Sequence, residues 1–169
     1  MFDASLQNVT PSGIVLSDDH TTATGRGWAR SAQGFPPECG IVRWRVQLGS
    51  EGGGNVYMTG VVLTSDERPF AQNFSNYLEV GGNLCFFQDD AVWRNGTKVE
   101  GYFSPGCMQE GDLLQLELER GVDESVLRLT VDGRPAKEIR GLPSEGVLYP
   151  IVHLLNSKQS YTLLPPLAE

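Results

Sequence analysis

The chain has 169 residues, of which 40% are hydrophobic and 20% charged. That is the balance of an ordinary soluble globular domain, long enough to bury a core without metals or disulfides. Its formal net charge of −8 argues against a nucleic-acid backbone or an anionic membrane as the main partner, because counterion release needs clustered Lys and Arg, and the one tight basic cluster near the N-terminus is Arg26 with Arg30.

Twenty glycines and 10 prolines are spread along the whole length, which leaves little room for long helices and suits short strands separated by turns. Taken in chain order, residues 17–39 read as a long polar, irregular segment. In IVRWRVQL, Val42, Trp44, Val46 and Leu48 share one face of a half-buried strand, and Arg43, Arg45 and Gln47 share the other. NVYMTGVVL, residues 55–63, is uniformly apolar and reads as a strand buried on both faces. A second irregular segment, 64–76, precedes the short apolar run LCFFQ at 84–88. GDLLQLELERGVDESVLRLTVDGRP, 111–135, reads as strand, turn, strand, turn. Leu114, Leu116 and Leu118 lie on one face, Leu127, Leu129 and Val131 on another, and Asp132-Gly133 marks a tight turn. VLYPIVHLL and SYTLL close the chain. Regularly spaced strands of this kind predict an all-β antiparallel sandwich with little or no helix, spanning residues 1–169 as one domain of a larger protein.

Three cysteines, Cys39, Cys85 and Cys107, with no CxxC spacing, predict free thiols and a cytoplasmic, intracellular setting. Asn8, Asn73 and Asn95 each begin a glycosylation sequon, the one feature favouring secretion. No apolar run reaches the roughly 18 residues of a membrane-spanning helix, and the N-terminus has no basic stretch leading into an apolar one, so neither a transmembrane helix nor a signal peptide is expected.

Catalytic signals are sparse. No G-x-S-x-G, P-loop or HExxH occurs. His20 follows Asp18 and Asp19 and reads as a solvated loop, while His153, inside an apolar strand, reads as a sheet histidine with its needs met. Asp89-Asp90 reads as a solvated turn, since adjacent carboxylates on a strand point to opposite faces. Glu117 and Glu119 alternate with Leu116 and Leu118 and face away from the core. No cofactor or metal is expected. The aromatic residues carry more information. Trp44 lies on an apolar strand face and reads as core. Trp28 and Trp93 lie in polar, Arg-containing stretches, and Phe70, Phe74 and Tyr77 in the long loop DERPFAQNFSNY. Loop aromatics beside Arg are typical binding chemistry, because they offer large contact area at low entropic cost.

The order of several motifs resembles the SPRY domain family. Gly40, Trp44 and Val46 match its G-x-x-x-W-x-V strand, MTGVVLTSD its Gly-containing strand, and GDLLQLEL its G-D strand. VLRLTVDGRP is similar to the strand and turn that usually end in Asn-Gly, with Asp132 replacing the Asn, and LYPIVHLL matches L-Y-P-x-V-x-L. The resemblance runs from about Phe2 to Leu164. It implies a concanavalin-like jelly-roll sandwich and a non-catalytic adaptor-type module that binds a protein or peptide through loops at one edge. Carried onto this chain, the binding loops would contribute Thr22, Thr24, Arg26, Trp28 and Arg30 before the Gly40 strand, and Phe70 and Phe74 after the Gly60 strand. Asp90, Trp93 and Arg94 would follow LCFF, and His153, Leu155 and Asn156 would follow LYPIV. A carbohydrate-binding lectin on a similar sandwich is the alternative, with exposed Trp stacking on sugars. A glycoside hydrolase would need two facing carboxylates, and Glu117 with Glu119 on a concave sheet would be its one candidate pair. A monomer is expected.

Overall fold

The computed structural model describes residues 1–2, 14–25, 27–50, 57–63, 83–88, 91–94, 97–100, 109–154 and 159–165. They form thirteen strands: β1 (Val15–Leu16), β2 (Thr22–Thr24), β3 (Gly27–Arg30), β4 (Ile41–Ser50), β5 (Tyr57–Leu63), β6 (Asn83–Gln88), β7 (Ala91–Arg94), β8 (Thr97–Glu100), β9 (Leu113–Arg120), β10 (Ser125–Val131), β11 (Arg134–Leu142), β12 (Leu148–Leu154) and β13 (Gln159–Leu164). One 3-10 turn at Pro37–Cys39 is the sole helical element among the described residues. Every strand pair is antiparallel. A seven-stranded sheet has the order β1-β2-β13-β4-β9-β10-β11, and a six-stranded sheet the order β3-β12-β5-β6-β7-β8. This is the expected all-β sandwich.

Local alternation builds the core. On β9 the sequence LLQLELER gives strictly alternating burial, with Leu114, Leu116 and Leu118 fully enclosed. Each such side chain contributes about 2 kcal/mol of burial free energy. Leu127 and Leu129 of β10 and Val46 and Leu48 of β4 join the same cluster, which also holds Val61, Phe87 and Val152 from the six-stranded sheet. Trp44 packs against this cluster, as its phase predicts. Thr59, Gly60 and Val61, consecutive on β5, are all buried, so the central strand is enclosed on both faces. Phe2 also enters the core, 2% exposed, held by a bridge to Ser31.

Two features depart from the expected layout. Residues 17–39 contain β2 and β3, and at three and four residues these strands are too short to display a hydrophobic period. β11 begins with Arg-Pro and carries Lys137, Glu138 and Arg140, so its sequence looks like a loop. It lies at the sheet edge, where Pro and charge guard the open backbone and two register shifts break its pairing with β10.

The β10–β11 turn is Asp132-Gly133, with φ +46° and +78°. Two consecutive positive φ values give the primed turn that matches strand twist. The Asp132 carboxylate accepts the Leu113 N–H at 2.9 Å, and the Asp132 N–H donates to the Leu113 carbonyl at 2.9 Å, tying the turn to β9.

At the other end of β9 lies Arg120, only 6% exposed. Its guanidinium donates to the carbonyls of Phe35 (2.7 Å), Ser144 (3.0 Å) and Gly146 (2.8 Å), and its backbone N–H donates to the Gly40 carbonyl at 2.8 Å. Ser144 and Gly146 belong to the connection from β11 of one sheet to β12 of the other, so this side chain fastens the crossover. Burial pushes its pKa down, against the nearby Cys39 and Glu38. The bonds to three carbonyls compensate for the lost hydration.

Two substitutions test these anchors. Arg120→Met should lower unfolding free energy by about 3–5 kcal/mol in urea titrations, because three inward carbonyls lose a charged donor. Asp132→Asn should stay within about 0.5 kcal/mol of the parent, since Asn tolerates positive φ and keeps an acceptor, whereas Asp132→Val should cost at least about 1 kcal/mol.

Candidate functional site

The six-stranded sheet brings several of the expected site residues onto one face. Register sets the phase. Ala29, Val152, Thr59, Phe87 and Val92 follow one another across five strands, four of them members of the core cluster. The adjacent row runs through Arg30, Ile151, Gly60, Trp93 and Lys98, and it occupies the outward phase. Trp28 and His153, paired with each other in register, lie outward as well. Arg30 and Trp93 thus stand on one face of one sheet, about 19 Å apart by four strand spacings of ~4.8 Å.

Trp28 and Trp93 are strand residues of β3 and β7, not loop residues as the sequence suggests, and His153 is the sixth residue of β12. Their exposures differ. Trp28 is 7% exposed and His153 1%, and their rings pack at 4.3 Å between centroids with a 58° tilt. Neither belongs to the core cluster, so this outward face has a buried apolar patch of its own, with Ile151 1% exposed beside them. Its rims are more accessible. Arg30 is half-buried and stacks its guanidinium over the Tyr149 ring at 4.3 Å, a cation–π arrangement. Trp93 is half-buried on the other side, and Lys98, in register with it, is exposed.

The remaining expected residues separate. Thr22 and Thr24 are half-buried on β2 of the seven-stranded sheet, where Thr22 shares a hydrogen bond with Thr162 at 3.0 Å and Thr24 donates to the Val15 carbonyl at 3.3 Å. Arg94 is in the core-facing phase with Cys85 and Thr97 and reaches across to the Gly141 carbonyl of β11 at 3.4 Å, so it clasps the two sheets. Burial pushes the Cys85 thiol up to about 11, with Arg94 pulling the other way. Arg26, Phe70, Phe74, Asp90, Leu155 and Asn156 lie outside the described residues, as do Asp89 and Cys107. Lys98 and Tyr149 complete the rims and were not singled out by the sequence, because a lone Lys in TKVE and a Tyr in an apolar run carry no local signal.

The Asp18-Asp19-His20 stretch is a solvated turn, as its composition suggests. Asp19 accepts from the Ser17 and Thr21 hydroxyls at 2.6 and 2.9 Å, and these bonds hold its carboxyl down at about 2.

The outer face of the seven-stranded sheet has a different chemistry. Arg43, Glu117, Arg128 and Glu138 stand in direct cross-strand register over four strands. Glu117 spends one oxygen on Arg43 (2.7 Å) and the other on Arg128 (3.0 Å). Arg128 also pairs with Glu119 (2.7 Å) and Glu138 (2.8 Å), and Arg140 continues the chain to Glu138 (2.6 Å) and Glu124 (3.3 Å). The hydrogen bonds that the Arg128 guanidinium donates, to Glu119 first, then Glu138 and Glu117, hold it protonated. Burial pushes the Glu138 carboxyl up, but Arg128 and Arg140 outweigh it and leave it lowered. Both Glu117 oxygens are engaged by guanidinium groups, so this carboxylate is part of an ionic lattice and does not stand ready across a gap from Glu119 as hydrolysis would require.

Neither protein-family models nor curated protein sequences match the chain. Solved structures do. The SPRY domain of human HERC1 is similar with a TM-score of 0.69 at 15% identity, and the match covers 100% of both chains. The PSpry domain of TRIM65 gives a TM-score of 0.63 at 16% identity, covering 98% of this chain and 89% of that one. The NHR1 domain of Drosophila melanogaster Neuralized gives 0.62 at 12% identity, covering 98% and 97%. Identities this low speak to fold. The chain has the two-sheet antiparallel sandwich of SPRY domains, as the order of its sequence motifs led us to expect.

Proposed function

We propose that this chain is a non-catalytic protein-interaction module that binds a peptide or protein surface at one edge of the sandwich. The observation that carries the reading is the end-to-end likeness to SPRY sandwiches, which covers the whole of this chain and the whole of the HERC1 domain. The physical logic is consistent with it. Two stiff antiparallel sheets hold their edges and connections in place, so little entropy is lost when a partner docks. Half-buried Trp93 offers the kind of aromatic anchor on which interface energy concentrates. The free thiols at Cys39 and buried Cys85 favour a reducing, intracellular setting for this module.

The two tryptophans divide the reading. Trp28, buried against His153, is a packing residue of the outward patch and supports the surface from beneath. Trp93 is the one placed to touch a partner. In a pull-down with the purified domain, followed by mass spectrometry, Trp93→Ala should lose about 2 kcal/mol of partner affinity, roughly 30-fold, while its thermal unfolding stays close to the parent. Trp28→Ala should instead destabilise the fold by about 3 kcal/mol. Unchanged partner recovery by a folded Trp93→Ala protein would sink the assignment of Trp93, and no specific partner for the parent domain would sink the module itself.

A further inference from the structure

One end of the sandwich is assembled around Arg120. Its side chain donates to the Phe35 carbonyl and its backbone N–H to the Gly40 carbonyl, so it holds both ends of the connection between them. The same side chain holds the Ser144 and Gly146 carbonyls of the crossover. The turn that follows Arg120 is closed by the Gly121 N–H, which donates to the Glu124 carbonyl at 3.1 Å. Exposed on these three segments stand Glu38 and Ile41 beside Gly40, Val122 and Asp123 in the turn, and Glu145 between Ser144 and Gly146. Ile41 is 52% exposed and Val122 95%. Hydrogen bonding to one buried residue therefore brings together side chains that are far apart in the chain.

The carboxylates of this end differ from their neighbours. Glu117, Glu119 and Glu138 on the adjoining sheet face, and Glu124 at the close of the turn, each bond a guanidinium. Among the described residues, no ion pair or side-chain hydrogen bond engages Asp123 or Glu145. Glu38 lies near enough to Arg120 to act on its charge, so that buried cation offsets Glu38 and leaves the other two carboxylates uncompensated. The cations of the lattice, Arg43, Arg128 and Arg140, are already bonded to its own glutamates. Single exposed aliphatic side chains are ordinary on a protein surface. Here two of them stand beside unpaired carboxylates, on connections that hydrogen bonds already fix, so a partner can dock with little further loss of entropy. In a protein of net charge −8, the field at this end favours a cationic partner.

We infer that the end of the sandwich held by Arg120 is a second docking surface, for a basic protein segment, with Ile41 and Val122 receiving an aliphatic side chain and Asp123 and Glu145 pairing with flanking Lys or Arg. It goes beyond the contact assigned to Trp93, which stands on the outer face of the six-stranded sheet, and it rests on the reading of the domain as an interaction module.

The test is selection of random linear peptides from a displayed library on the immobilised domain, followed by affinity measurement of the winners by fluorescence anisotropy. The selected peptides should carry Lys or Arg beside an aliphatic residue, and their binding should weaken with added salt. Asp123→Lys and Glu145→Lys should each weaken them about five- to tenfold, and Val122→Ser about threefold through lost apolar contact. Glu110→Lys changes the net charge by the same amount on the segment that enters the opposite end of β9, and should leave binding within about twofold. All four positions are exposed, so each variant should unfold at the parent temperature. Winners without basic bias, or winners indifferent to Asp123→Lys, Glu145→Lys and Val122→Ser, would overturn this surface while leaving the interaction module standing. Equal weakening by Glu110→Lys would overturn it too, because it marks unspecific attraction to an acidic protein. So would a concentration-dependent dimer broken by the same substitutions, which would make the occupant a second copy of the chain. No selected peptide at all also overturns the surface, and an empty pull-down beside it removes the module reading as well.

Discussion

The sandwich depends on how the chain passes from one sheet to the other without exposing either inner face, and a buried cation secures that passage. Arg120 ends β9 in the seven-stranded sheet and donates to carbonyls of the connection that leads into β12, the second strand of the six-stranded sheet. It binds the Phe35 carbonyl at the same time, and Phe35 is itself bridged to Leu148 at the start of β12. A guanidinium suits this position because its planar fork can satisfy several acceptors in fixed directions, which an ammonium on a flexible stem cannot do as well. Everything carried by β12, including the row of Ile151 and His153, takes its place from that junction.

With the sheets so joined, each outer face acquires its own character. The seven-stranded sheet covers itself with an ionic lattice in which every carboxylate named has a guanidinium partner. Exposed pairs contribute little singly, but an arrangement in cross-strand register over four strands also fixes alignment, because a one-residue slip would send each charge to the core face. The six-stranded sheet takes the opposite course. It buries Trp28, Ile151 and His153 on the side away from the core and keeps cations and a half-buried tryptophan at its rims. A face fully occupied by internal ion pairs has few valences left for a partner.

This division also bears on the competing readings of the sequence. A hydrolase built on Glu117 and Glu119 would need carboxylates that face each other across a substrate, yet both converge on Arg128. A sugar-binding sheet face of the stacking kind would need an aromatic platform. Among the described side chains, the aromatic residues that the register places outward belong to the six-stranded sheet, where Trp28 is enclosed and Trp93 and Tyr149 are half-buried.

What the sequence determined by itself was the phase of each strand. Period-two alternation is a local property, so the Leu-rich faces of β9 and β10, the burial of β5 on both sides, the outward turn of Glu117 and Glu119 and the tight turn at Asp132-Gly133 could all be read from neighbouring residues. The motif order resembles that of SPRY domains. What only the tertiary structure decided was which faces are covered and which rows align. Trp28 sits in a polar stretch but is enclosed because β3 pairs with β12. Arg120 looks like a solvated strand end but is buried by two distant connections. β11 reads as a loop because an edge strand is built from charge and proline. The row linking Arg30 to Trp93 and Lys98 joins residues far apart in the chain through register across six strands. Register is fixed by non-local hydrogen bonding, and no local pattern encodes it.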